Sequence, residues 1–268
     1  MTTLRRAMIA FLTVAMLATG IVRAASTTNF SDQWWIEAES GWGASVLQQA
    51  DILFIDLFVY GVDNKPTWFT AAAFLQRDSP AGHVLFTGDL YSTTGPYFGG
   101  SFNPSAVGYA KVGTLTFDAD TVNTAKLTYT VNGVPVVKNV TRQTWRNENL
   151  SGRYYGGVIN DETCLPASNS GHFEDAATIE ITHNTDNSVR IDIQTLSGDD
   201  LTFNGTYTQS GHMGQIVATF SYSTTTTSLT VFEIEKTISG FSARFVGNTK
   251  SGTESCVMTN GRIGGVRR

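Results

Sequence analysis

Runs in which apolar and polar residues alternate recur along the chain from about residue 30 onward. In segment 52–60, Asp56 lies between Phe54 and Phe58 on one side, and the other side carries Leu53, Ile55, Leu57 and Val59. Strict alternation is typical of β-strands with one buried face. We find no amphipathic helical pattern after the amino-terminal segment, so the pattern predicts an all-β protein.

The firmest hairpin in the chain surrounds Asn132-Gly133, a dipeptide that favours two-residue turns between antiparallel strands. Leu127, Tyr129 and Val131 alternate with threonines before the turn, and the chain returns from Val134. Further strands are predicted at 52–60, 67–75, 84–91 and 112–117.

The second half repeats this pattern at shorter, regular intervals separated by turn-forming clusters. Eight strands are predicted there, at 153–159, 178–183, 189–196, 201–208, 215–222, 229–237, 241–246 and 255–262. Eight consecutive strands with short links favour an antiparallel meander, and closing it into a barrel removes the exposed edges. An interior filled by its own inward apolar side chains is the simpler outcome for eight strands, and an apolar cavity lined by them is the alternative.

A change in composition divides the chain. All five tryptophans precede residue 150 and both cysteines follow it, so we place a domain boundary in the polar segment 147–151. The predicted fold class is all-β with two antiparallel β domains. The predicted domains are a tryptophan-rich domain at 26–146 and a barrel-like domain at 150–264.

The first 24 residues have the organisation of a cleavable secretory signal. Arg5 and Arg6 precede an apolar stretch over 7–22, and the small residues Val22 and Ala24 precede the expected cut. An uncleaved anchor helix is the alternative, but the stretch is shorter than the roughly 20 apolar residues that span a bilayer. The sequence therefore predicts a bacterial-type protein that is secreted or periplasmic, with no membrane association after cleavage.

The charge of the expected mature chain limits its partners. Removing three arginines with the signal leaves 15 basic and 23 acidic residues, a net charge of −8. An acidic chain without a basic cluster argues against nucleic acid or an anionic membrane as a partner.

Cys164 and Cys256 are predicted to form a disulfide, because an exported chain meets an oxidising compartment. Barrel closure would bring the strands that carry them together. Two free thiols are the alternative. A metal site is less favoured, since two cysteines do not complete tetrahedral coordination.

Short motifs give residues 34–145 a recognisable pattern. They are Glu39-Ser40-Gly41-Trp42-Gly43, Gln48-Gln49, Leu53-Phe54, Phe58-Val59-Tyr60 and Lys65-Pro66-Thr67-Trp68-Phe69, followed by Phe102-Asn103-Pro104, Asn132-Gly133 and Thr141-Arg142-Gln143-Thr144-Trp145. In these motifs the chain resembles a widespread family of exported bacterial β-domains. The resemblance implies export and a β fold, often beside other extracellular modules, and it names no activity. The chain departs from the family pattern at Ala50, where glycine is usual, and at Asp56-Leu57, where threonine and tryptophan are usual.

Asp56 is the first candidate site residue, because a carboxylate between aromatic rings can orient a hydroxyl or an amine while the rings stack on the ligand. The candidate ligand-binding set is completed by Trp34, Trp35, Trp42 and Trp68. A solvent-facing Asp56 and core tryptophans are the alternative. Glu39, next to Ser40 in a glycine-bounded loop with Trp42, is a second small candidate.

Signatures of familiar catalytic sites are absent from the sequence. We therefore predict a non-enzymatic binding or interaction protein that uses no cofactor or metal, with a glycan or an extracellular protein as the favoured partner. Two alternatives stay open. One is a secreted hydrolase that uses Asp56 and Glu39, and the other is a structural protein of the cell envelope.

Overall fold

The structure, a computed structural model, describes residues 28–222 and 225–267 and consists of β-strands joined by turns and three short 3-10 segments. It forms two closed, antiparallel, eight-stranded barrels, which confirms the all-β class and the two β domains. The predicted signal at 1–24 lies outside the described residues. Among the described residues, no helix has the length and apolar character needed to cross a membrane.

In the first barrel each strand pairs with the next, and the short β1 closes the ring by pairing with β8. The sequence predicted neither β1 and β2 nor this closure. The predicted hairpin is present, with Asn132 and Gly133 both at positive φ. The strands are β1 (Asp32–Trp35), β2 (Gly43–Gln49), β3 (Ile52–Tyr60), β4 (Pro66–Gln76), β5 (Val84–Thr94), β6 (Gly108–Ala119), β7 (Thr124–Val131) and β8 (Val134–Arg142).

The second barrel contains all eight predicted strands, and its first and last strands pair as expected. Cys164 lies directly opposite Cys256 across this seam, and the two form the predicted disulfide. The strands are β9 (Gly152–Leu165), β10 (Gly171–His183), β11 (Ser188–Thr195), β12 (Asp200–Ser210), β13 (Met213–Tyr222), β14 (Thr225–Lys236), β15 (Gly240–Ser251) and β16 (Glu254–Arg267).

Each barrel has its own hydrophobic core. The first is packed around Trp34, whose ring makes an edge contact with Phe117 at 5.0 Å between centroids. In the second, Tyr154 contacts Phe241 at 4.8 Å, and its hydroxyl donates to the Leu150 carbonyl at 2.7 Å. These contacts fill the end of the second barrel that faces the first.

The junction between the barrels is polar and centres on a buried ion pair. Arg142, at the end of β8, donates to Asp32 Oδ2 at 3.2 Å, and its side chain is fully buried. It also donates to the carbonyls of Asn29 and Val122. Burial lowers the pKa of Arg142, although Asp32 opposes the shift. Arg142 therefore connects the end of β8 to the β6–β7 turn and to the segment around Asn29 and Asp32, which contacts the second barrel.

Candidate functional site

The outer surface of β2, β3 and β4 carries exposed apolar side chains, whereas the solvent-facing side of a sheet usually carries polar ones. Leu53, Ile55 and Leu57 are fully buried inside the barrel, so the alternate residues of β3 point outward. We call this outer surface the aromatic face, and it consists of Leu47 (62% exposed), Phe54 (45%), Phe58 (50%), Trp68 (51%) and Phe74 (52%).

Strand register arranges the aromatic face in rows. Phe58 lies opposite Trp68, and Phe54 lies opposite Leu47. Phe74 occupies the next row along β4, opposite Ile52. Residues directly opposite one another on adjacent strands are close enough for their side chains to form one surface. The exposed rings therefore lie on one surface on both sides of the row that contains Asp56, and exposed apolar patches commonly mark binding sites.

Asp56 lies in the middle of the aromatic face, as the sequence predicted for its position between Phe54 and Phe58. It is half-buried and is opposite Ser45 on β2 and Thr70 on β4. Within the described residues, neither Asp56 Oδ1 nor Thr70 Oγ1 has a hydrogen-bond partner, and both atoms are shielded. Leaving such a group unsatisfied costs about 1–3 kcal/mol. A ligand that hydrogen-bonds to them would recover part of this free energy.

The row that contains Asp56 continues around the barrel onto β5 and β6. Thr70 is opposite Tyr91, and Tyr91 makes an edge contact with Tyr109 at 6.1 Å between ring centroids. Tyr109 is 78% exposed. Two tyrosines therefore continue the row of Asp56 beyond Thr70.

The structure brings Trp68 and Asp56 onto this surface, but it buries Trp34 and places Trp42 in a separate cluster. Trp34 is 0% exposed, donates from Nε1 to the Phe30 carbonyl and lies under the Arg142 guanidinium. As a ligand contact, Trp34 is corrected to a core residue. Trp35 is half-buried on β1, where the strand register places it beside Gly43, which lies opposite Phe58, so Trp35 is at the edge of the aromatic face. The predicted convergence of all four tryptophans is therefore not found.

Trp42 belongs to a separate cluster with Glu39 and Lys138. Glu39 Oε2 accepts hydrogen bonds from Trp42 Nε1 at 2.9 Å and from Lys138 Nζ, and Lys138 lies 5.2 Å from the Trp42 ring centroid. The hydrogen bond from Lys138 is the main cause that lowers the pKa of Glu39. Tyr60 holds the same loop by donating to the Gly41 carbonyl at 2.9 Å. The cluster fixes a loop at one end of the barrel.

A group of potential metal ligands lies beside the disulfide in the second barrel. Glu162, Cys164 and Cys256 place one ligand atom each within 4.8 Å of one another. Both sulfurs belong to the disulfide, and metal ions require thiolates. The group therefore gives no support to a metal site while the disulfide is intact.

No family model, curated protein or solved structure matches the chain. The resemblance of residues 34–145 to exported bacterial β-domains therefore stays a prediction.

Sequence reasoning identified the centre of the candidate site and missed much of its extent. Phe54 and Phe58 were recognised as the neighbours of Asp56, and Trp68 was named. Leu47 and Phe74 were missed because β2 was not predicted and the register with β4 was unknown. Counting exposed positions by alternation on β4 would have found Phe74, since it lies six residues after Trp68 on the same face.

Proposed function

We propose that this protein is an exported, non-enzymatic binding protein that holds a glycan against the aromatic face of its first barrel. The observation that carries the proposal is the row formed by Phe58 and Trp68, both half-exposed, next to the row that contains Asp56. A partner must cover the apolar rings and also satisfy a carboxylate. A sugar does both, because its ring presents an apolar C–H surface and a rim of hydroxyl groups.

The roles of the side chains follow from this chemistry. Phe54, Phe58 and Trp68 stack against sugar rings, and aromatic groups supply contact area with little loss of side-chain freedom. The Asp56 carboxylate accepts hydrogen bonds from the hydroxyl groups of the sugar, and the Thr70 hydroxyl donates one to them. A few polar groups of this kind set the specificity of an apolar site. The carboxylate of Asp56 disfavours strongly anionic glycans.

The experiment is a retention assay on insoluble glycans, including peptidoglycan, chitin and cellulose, with the purified mature chain. Trp68→Ala is expected to reduce retention at least tenfold, and Phe58→Ala is expected to reduce it by a similar factor. Trp145→Ala is the matched control, since Trp145 is 74% exposed and follows the last strand of the first barrel. It should leave retention unchanged.

Lack of retention on every glycan of the panel, with no change in tryptophan fluorescence, would contradict the proposal. Equal losses in the Trp68 and Trp145 variants would also contradict it. Retention that survives Trp68→Ala but is lost with a different surface variant would move the glycan to another site. Circular dichroism spectra of the variants must match those of the parent protein.

Export is the second part of the proposal. The disulfide between Cys164 and Cys256 fits an oxidising compartment, where such bonds persist. Cell fractionation of a bacterial host and mass spectrometry of the mature chain test it. The expected amino terminus is Ala25, and a full-length chain retained in the cytoplasm would contradict export.

A hydrolase that uses Asp56 and Glu39 receives less support from the geometry. Asp56 lies on the outer face of β3, whereas Glu39 lies in the loop held by Tyr60 and Lys138. A lowered pKa for Glu39 is opposite to what a general acid needs near neutral pH. Hydrolysis of a glycan that is lost on alanine substitution of both acids would restore this alternative. If the protein has a structural role in the cell envelope, the purified chain should sediment as a polymer in analytical ultracentrifugation.

A further inference from the structure

The interior of the second barrel is filled at one end only. Near the first barrel, Tyr154, Ile179 and Phe241 close the interior. Toward the opposite end, a cavity of about 270 Å³ remains inside the ring of strands. Asp199, an exposed residue of the β11–β12 turn, contributes to its lining, so the cavity reaches the surface at this end. The open end is therefore remote from the junction and from the aromatic face.

The wall of the cavity is mostly apolar and aromatic. Half-buried Phe173, Leu201 and Met258 line it, together with the buried Phe203 and Phe245. Phe203 and Phe245 are each 5% exposed. The volume is close to the lower limit of typical ligand pockets, and an apolar wall with a few polar groups is their usual composition.

Two polar side chains of β9 point into this apolar space. Asn160 is 4% exposed, and its Nδ2 donates to Glu162 Oε1 at 3.2 Å. Buried polar groups are costly in a barrel interior that apolar residues could fill, so their presence needs an explanation. This hydrogen bond gives Glu162 Oε1 a partner, and Oε2 is left to accept a hydrogen bond from a ligand.

The charge of the cavity has one sign. Glu162 and Asp199 line it, and its lining contains no lysine, arginine or histidine. Within the described part of the chain, Glu162 forms no ion pair within 4.0 Å, in contrast to Glu180 on the outer surface, which pairs with Arg153. A half-buried carboxylate without a cationic partner favours a ligand that carries a positive charge.

We propose that the open end of the second barrel binds a small hydrophobic amine. The apolar body packs among Phe173, Leu201 and Met258, and the ammonium group donates to Glu162 while Asn160 holds that carboxylate in place. This site is independent of the glycan site, because it lies in the other barrel and shares no residue with the aromatic face.

Three probes with one body and different head groups test the proposal: 2-phenylethylamine, 2-phenylethanol and phenylacetate. Each is titrated to about 20 mM into the mature chain, since fragments of this size bind weakly. Methyl-¹³C-methionine labelling supplies the signal, because the only methionines after the predicted signal are Met213 and Met258. Met258 lines the cavity, whereas Met213 starts β13 near the junction.

A saturable shift of the Met258 methyl signal with no shift at Met213 is expected. The expected order of affinity is amine, then alcohol, then carboxylate, with roughly tenfold between the amine and the alcohol. Glu162→Gln should abolish the preference for the amine and keep the weaker binding of the alcohol. Glu174→Gln, an exposed residue on the outer face of β10, removes the same charge outside the cavity and should change nothing.

A second variant, Leu201→Trp, should fill the cavity and abolish the response to all three probes. The proposal is overturned if Met258 shows no saturable shift in the parent protein. It is also overturned if phenylacetate binds as tightly as the amine, or if Glu162→Gln and Glu174→Gln have equal effects. Whether Met258 shows a saturable shift is decided by the titration of the parent protein alone. The proposal therefore stays testable even if a variant fails to fold. A negative glycan assay does not bear on these outcomes.

Discussion

The carboxylate of Asp32 in the first barrel accepts two hydrogen bonds from His212 in the second. The backbone N–H of His212 donates to Oδ2 at 3.0 Å, and Nδ1 lies 2.8 Å from the same oxygen. Arg142 contacts this oxygen from within the first barrel. Asp32 therefore joins a buried cation of one barrel to a turn of the other, across 180 positions of sequence.

Asp32→Asn should weaken the protein at neutral pH, because Arg142 stays buried without a counter-charge. We expect a loss of about 3 kcal/mol in the free energy of unfolding. Burial raises the pKa of Asp32, but the hydrogen bonds from His212 outweigh it and hold the pKa below 3.8.

A depressed carboxyl pKa stabilises the fold above the unfolded-state value, and this contribution is lost as pH falls through the lower folded-state value. The difference between the parent and Asp32→Asn should therefore shrink below about pH 4. Urea denaturation of both proteins at about pH 6 and about pH 2.5 measures this difference in the free energy of unfolding. An equal difference at both values would show that the carboxylate charge is not the cause.

Gly211→Ala should loosen the junction. Gly211 has φ +60°, and an added Cβ would lie 1.9 Å from Asp32 Oδ2 and 2.8 Å from Arg142 Cβ. The expected loss is about 2–3 kcal/mol of unfolding free energy. Gly252→Ala is the matched control, because φ is +58° there but nothing lies within 4 Å. It should cost only about 1 kcal/mol, and equal losses would refute the role of the contact.

Ala50→Gly should stabilise the first barrel. Ala50 is the first of two residues in the β2–β3 turn and has φ +53°, a region that disfavours side chains. Relief of that strain is worth about 1 kcal/mol, or about 2–4 °C in melting temperature for a chain of this size. Ala72→Gly, within β4, should instead destabilise. A lower melting temperature for Ala50→Gly would contradict the explanation.

Replacing both Cys164 and Cys256 by alanine should destabilise mainly the second barrel. The bond closes a loop of 92 residues, and its removal is expected to cost about 2–4 kcal/mol. All five tryptophans precede residue 150, so their fluorescence reports on the first barrel while far-ultraviolet circular dichroism reports on both. A fluorescence transition that moves as far as the dichroism transition would argue against a local effect.

Local sequence determined most of the strands and the turn of the predicted hairpin. Segment 52–60 was predicted with the bounds that β3 has, and Asn132-Gly133 was predicted as the turn that it forms. Such features depend on neighbouring residues alone, because alternation sets which side chains share a face and glycine or asparagine permits positive φ. The eight strands of the second barrel, and with them the pairing of Cys164 with Cys256, follow from the same regularity.

Tertiary structure decided which tryptophan is a core residue and which is a surface residue. Trp34 and Trp68 both lie in strands beside another aromatic residue, yet Trp34 fills the first barrel and Trp68 is half-exposed. Sequence alone gives the two faces of a strand, and barrel closure decides which of them points inward. The four-residue β1 was not predicted because its segment, Asp-Gln-Trp-Trp, is short and shows no alternation of polar and apolar residues.

Barrel closure also explains the contacts that no local sequence pattern could predict. The contact of Asp32 with His212 and the acidic cavity around Glu162 each depend on strands that are distant in sequence. The sequence by itself determined the class of fold and the position of most strands, since these follow from local periodicity. Only the closed barrels decided which polar groups are buried together, because burial depends on the register and closure of the whole sheet.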